Sequence, residues 1–110
     1  MKLPNASNAI ISPEKLRDYL LSPTHAIGRY KATFFRGLGY SQGDWQTLAE
    51  QLRGMLGGDA IDAESNEYGR KFLVRGTLTG PNGQSADIVT VWIVLAETDT
   101  PRFVTAYPED

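Results

Sequence analysis

The feature that most constrains this chain is a change of hydrophobic period near its middle. Apolar residues recur at helical spacing up to Leu56 and at every second position from Tyr68 onward. A period of 3.6 lines one face of a helix, and a period of two lines one face of a strand. A helical front half must therefore bury its stripes against a strand-forming back half. The expected fold is α+β, with about three N-terminal helices packed on one face of a C-terminal three- to four-stranded antiparallel β-meander. At 110 residues the chain can bury one real core, so residues 1–110 are expected to form one domain. It divides into a helical half over 1–58, an acidic connection over 59–67 and strands over 68–108.

Local signals give each element its limits. Ser12-Pro13-Glu14 reads as a helix start, with serine as cap, proline at the first helical position and a carboxylate at the positive end of the dipole. Leu16, Tyr19 and Leu20 form its apolar stripe, and Ser22-Pro23 ends it. A second helix is expected over Ala26–Arg36, with Ile27, Tyr30, Phe34, Phe35 and Leu38 on its buried side and Gly37 and Gly39 as its stop. Ser41 to Asp44 has the form of a capping box ahead of a third helix carrying Trp45, Leu48, Ala49, Leu52, Met55 and Leu56. The acidic stretch Asp59–Glu67 reads as an exposed irregular loop, and it lacks the alternate aspartates and central glycine of a calcium loop. Beyond it, Phe72, Val74 and Leu78 alternate with wetter residues, and Gly80-Pro81-Asn82-Gly83 is a turn. Ile88–Leu95 is apolar on both faces, as a central strand should be, and Arg102–Tyr107 forms a last strand ended by Pro108.

Composition removes several function classes. With no cysteine there are no disulfides, thiol nucleophiles or cysteine zinc sites, and a single histidine rules out two-histidine metal motifs. No Gly-Lys-Ser/Thr phosphate loop, dinucleotide glycine motif or nucleophile elbow is present. No metal and no cofactor are expected. No apolar run approaches the roughly 18 residues that span a bilayer, and Met1–Asn5 has no apolar signal core, so the expected location is cytoplasmic with no membrane partner. Residues 1–56 carry seven Lys/Arg against four Asp/Glu, and residues 57–110 carry four against nine. This asymmetry suits an anion-binding face, or an acidic partner docking on the basic front half.

Chemistry concentrates around the one histidine, His25, which is followed within six residues by Arg29, Tyr30 and Lys31. A helical wheel divides them: Lys31 falls inside the apolar stripe, whereas Arg29 and Arg36 lie on the wet side. A lysine in that stripe either snorkels over Phe35 or marks a working site where local consistency is broken. His25 precedes the helix, where it is either a surface or capping residue or a neutral base beside the helix N-terminus. On the strands, Thr90 and Trp92 share a face, as do Thr105 and Tyr107, because each pair differs by two. These four residues form either ordinary cross-strand pairs or a polar and aromatic floor for a phosphate and a base, bordered by Lys71 and Arg75.

The combination of His25 with Gly28-Arg29-Tyr30-Lys31-Ala32, Phe34-Phe35, Gly39-Tyr40, Thr90-Val91-Trp92 and Phe103–Pro108 resembles a bacterial domain family of unknown function. That family occurs as short stand-alone proteins and at the C-termini of polymorphic toxins. The helix-then-meander order also resembles the barnase, EndoU and RelE-like metal-independent ribonucleases. This second resemblance implies His25, Lys31, Thr105 and Tyr107 as catalytic positions; the residues themselves offer Arg29, Lys71, Arg75 and Trp92 as candidates for binding RNA. EndoU-type enzymes use two histidines, and this chain has one, leaving Lys31 or Tyr107 to replace the second. The leading expectation is a small toxin-type endoribonuclease, the toxin of a toxin–antitoxin pair, with RNA as substrate and a cognate antitoxin or immunity protein as partner. The alternative is a non-enzymatic interaction domain, immunity- or antitoxin-like, that docks through an exposed strand.

Overall fold

The computed structural model describes residues 2–22, 24 and 29–109, with Arg29 and Tyr30 described for their backbone alone. Its front half holds three helices and its back half a four-stranded antiparallel sheet in the order β1-β2-β3-β4. The helices are α1 (Pro13–Lys15), α2 (Arg29–Gly37) and α3 (Trp45–Gly54). The strands are β1 (Ala60–Asn66), β2 (Gly69–Thr79), β3 (Ser85–Leu95) and β4 (Pro101–Pro108). This is the α+β architecture that the change of period requires.

Three details differ from the sequence expectations. The first helix keeps α geometry only over Pro13–Lys15 and then widens into a π-helical turn, Leu16–Leu20, closed by Leu21 N donating to Leu16 O at 2.9 Å. Leu16, Leu20 and Leu21 are all fully buried; Leu20 shares a face with Leu16 at ordinary helical spacing, and the wider turn brings Leu21 round to that face as well. Ser41 does not cap α3: its hydroxyl lies 3.4 Å from Asp44 Oδ2, and Gln42–Asp44 forms a 3-10 turn before the helix begins at Trp45. The acidic segment expected to be a loop is the edge strand β1. After Ala60 all its side chains are exposed, so it has no alternating pattern to betray it, and its backbone pairs with β2 through a bulge between Asp62 and Glu64.

The core lies between the helices and one face of the sheet. Leu48 and Leu52 from α3 and Phe35 from α2 join Phe72, Val74, Leu78, Ile88, Trp92, Phe103 and Ala106 from the strands. Two attachments hold the front half on the sheet. The chain before α1 is stitched to β4, with Ile10 N donating to Pro101 O and Phe103 N donating to Ile10 O, both at 2.9 Å. The C-terminus of α2 docks on the β2–β3 turn. Asn82 satisfies its last carbonyls, donating from Nδ2 to Gly37 O at 2.9 Å and from its backbone N to Leu38 O at 3.3 Å. That approach needs glycine at position 80, where a Cβ would overlap the Leu38 carbonyl, and at position 39, which sits at φ +100°.

Candidate functional site

β4 carries a bulge opposite the Val91–Trp92 step of β3, and the bulge decides which of its residues share a face with Thr90 and Trp92. Phe103 pairs with Trp92, but beyond the bulge Thr105 pairs with Val91, Ala106 with Thr90 and Tyr107 with Val89. A one-residue slip reverses faces. The two Thr-x-aromatic motifs therefore fall at opposite parity, and Thr90, Trp92, Thr105 and Tyr107 do not make one floor.

Trp92 and Thr90 are both 0% exposed. The Trp92 indole N–H donates to Thr90 Oγ1 at 2.8 Å, and the Thr90 hydroxyl donates to Val74 O at 2.8 Å. Trp92 also packs edge-to-face on Phe103, with ring centroids 5.3 Å apart. A ring enclosed in this way presents no surface on which a base could stack. This pair is core.

Thr105 has the opposite fate. Lys31 Nζ donates to Thr105 Oγ1 at 2.9 Å and to the Tyr19 hydroxyl at 2.7 Å, and those two oxygens lie 3.3 Å apart. The three half-buried side chains come from α2, β4 and the π turn, so the triangle exists only in the folded chain. An ammonium has three N–H donors, and among the described residues two of those of Lys31 are engaged here. Among the described residues, no carboxylate forms an ion pair with Lys31. Its charge is thus held by neutral oxygens, the condition in which a cation is available to an anion.

Burial opposes ionisation of the Tyr19 phenol. Its hydrogen bonds with Lys31 and Thr105, and the charges of Lys31 and Lys15, outweigh that effect and hold its pKa below the usual tyrosine value of about 10. Lys31 Nζ stands 5.2 Å and Lys15 Nζ 5.8 Å from the centre of the Tyr19 ring. Sequence reasoning placed Tyr19 in an apolar stripe and missed it. The available signal was chemical, because a part-buried tyrosine needs a partner for its hydroxyl.

His25 and the Arg29 side chain lie outside the described residues. Lys71 Nζ is 3.7 Å from Glu64 Oε2, and Arg75 Nε is 3.2 Å from Glu109 Oε2. Arg75, Val89 and Tyr107 form one cross-strand row, with Tyr107 exposed. Among the described residues no group of three or more His, Cys, Asp or Glu side chains could hold a metal ion, and no helix is long and apolar enough to cross a membrane.

The chain belongs to the family described as a domain of unknown function, DUF6883, which it matches over residues 2–110. No curated protein matches it in sequence. Among solved structures it is similar to a chain of the contact-dependent growth inhibition toxin–immunity protein complex from Klebsiella pneumoniae 342. The TM-score is 0.72 at 18% identity, over 96% of this chain and 97% of that one. At that identity the likeness is one of fold.

Proposed function

We propose that this chain is a small toxin-type endoribonuclease that cleaves RNA without a metal, by attack of a 2′-hydroxyl on the adjacent phosphate, and that a cognate antitoxin or immunity protein neutralises it. The observation that carries this reading is the Lys31 ammonium, seated between the hydroxyls of Tyr19 and Thr105 with no carboxylate to neutralise it among the described residues. A fixed cation aimed at a phosphate stabilises the charge that grows on its oxygens in the transition state. Thr105 holds the ammonium in place. His25, six residues before Lys31, is the group suited to take the proton from the 2′-hydroxyl near neutral pH. Tyr107 is the exposed ring that suits base stacking. The fold-level likeness to a chain of a toxin–immunity complex agrees with the partner half of the reading.

Purified chain incubated with cellular RNA should produce fragments ending in 2′,3′-cyclic phosphate, and its expression should arrest growth. Lys31→Met and His25→Ala should abolish both at unchanged folding. Intact RNA with wild-type protein would sink the reading. A non-enzymatic interaction domain would then stand, favoured by the uncovered side of the sheet, where Ile61, Leu95 and Tyr107 are exposed at one parity.

A further inference from the structure

The geometry points to Tyr19 as the acid that protonates the leaving oxygen in this cleavage, with Lys31 and Thr105 holding its hydroxyl. The inference rests on the ribonuclease reading and deepens it. Cleavage by a 2′-hydroxyl moves two protons, one off the nucleophile and one onto the 5′-oxygen that departs. The chain has one histidine and no cysteine, so a single imidazole cannot fill both roles at once.

At the Lys31 cluster one group is built for the second role. Thr105 is an aliphatic alcohol, whereas Tyr19 carries a phenol that is protonated at neutral pH and ionises within an accessible range. Among the described residues, charged and polar groups facing that phenol are Lys31 from α2, Thr105 from β4 and Lys15 from its own helix. Both charges are positive, so a phenolate formed there is stabilised by a cation at 2.7 Å and by the threonine hydroxyl. The depressed pKa of Tyr19 agrees with this arrangement. Tyr107, the other tyrosine considered, stands level with Val89, and no hydrogen bond joins it to Lys31 among the described residues.

The step balances. The 2′-oxygen gives its proton to the base and forms the new bond to phosphorus. The bond from phosphorus to the 5′-oxygen breaks, and the Tyr19 O–H proton passes to that oxygen. The products are a 2′,3′-cyclic phosphate and a 5′-hydroxyl, and the phenolate regains its proton from solvent. Lys31 sits beside both the phenolate and the phosphate, which explains why one ammonium is anchored by a tyrosine rather than by a carboxylate. A carboxylate would cancel the charge that each of them needs.

The test compares ordinary RNA with RNA carrying a 5′-bridging sulfur at one linkage, whose thiolate leaves without a proton. Tyr19→Phe should lose about 10²- to 10⁴-fold on ordinary RNA, the range of general acid catalysis, and less than about tenfold on the sulfur substrate. Equal losses on both would overturn the acid role, as would full activity of Tyr19→Phe on ordinary RNA beside an inactive Lys31→Met. That second result would leave the ribonuclease reading intact, whereas a wild-type chain inert on both substrates would overturn the two together. A fluorinated tyrosine at position 19, which keeps the hydroxyl and its contacts, should move the alkaline limb of the kcat/KM profile to lower pH. An unmoved limb would overturn the inference.

Discussion

Thr90 and Thr105 each stand two residues before an aromatic on neighbouring strands, and the protein uses them in opposite ways. Thr90 is sealed between Trp92 and the Val74 carbonyl, so every polar atom of that pair has a protein partner. Thr105 is half-exposed and binds a lysine that has no carboxylate partner among the described residues. The same two side-chain types, a threonine hydroxyl and an aromatic, give a closed hydrogen-bond chain in the core and an open cationic cluster at the β4 edge. What separates them is one extra residue in β4 and the helix that reaches over it.

Substitutions at the two places should break that contrast, beginning with the largest effect. Trp92→Ala removes a fully buried ring and its bond to Thr90, and should cost about 3–5 kcal/mol in urea unfolding. Gly80→Ala drives a methyl into the Leu38 carbonyl and should cost about 1–3 kcal/mol. Because that contact anchors α2, the same variant should also move Tyr19 ionisation, read by absorbance near 295 nm, back toward the ordinary value.

The threonines themselves give the sharpest comparison. Thr90→Val strands a buried indole N–H and should cost about 1–3 kcal/mol. Thr105→Val should cost about 1 kcal/mol or less, because its partners can turn to water, while lowering RNA cleavage by about tenfold or more. A larger stability loss at Thr105 than at Thr90 would show that the β4 cluster serves folding first.

The smallest effect is a pair of tyrosines titrating in opposite directions. Burial raises the pKa of Tyr40, which donates to Thr79 O at 2.7 Å, whereas that of Tyr19 is lowered. A lowered folded pKa adds stability above the unfolded value of about 10, and this is lost as pH falls through the folded value. A raised one keeps its contribution below about 10 and loses it as pH rises through the folded value. Tyr19→Phe should therefore lose stability more steeply than wild type from pH 9 to 11, and Tyr40→Phe less steeply. Lys31→Met should shift the Tyr19 phenolate transition upward.

Lys31 was legible before the fold because a cation inside an apolar helical stripe conflicts with its neighbours, and Thr105 because threonine and tyrosine alternate on a strand. Tyr19 was not legible. It satisfies the apolar pattern of the first helix, and nothing in one sequence shows which helix lies against which strand edge. The edge strand β1 was hidden for a related reason, since a strand with neither side covered carries no alternation.

By itself the sequence determined the order of the helices and of β2, β3 and β4, the turn that joins β2 to β3 and most of the core, because hydrophobic period and glycine or proline placement act between near neighbours. Only the tertiary structure decided that Trp92 is enclosed, that a bulge separates Thr90 from Thr105, and that Tyr19, Lys31 and Thr105 meet. These outcomes depend on sheet register and on the docking of α2 against Gly80 and Asn82. Such contacts join residues tens of positions apart, and the free energy that selects them is that of the whole core.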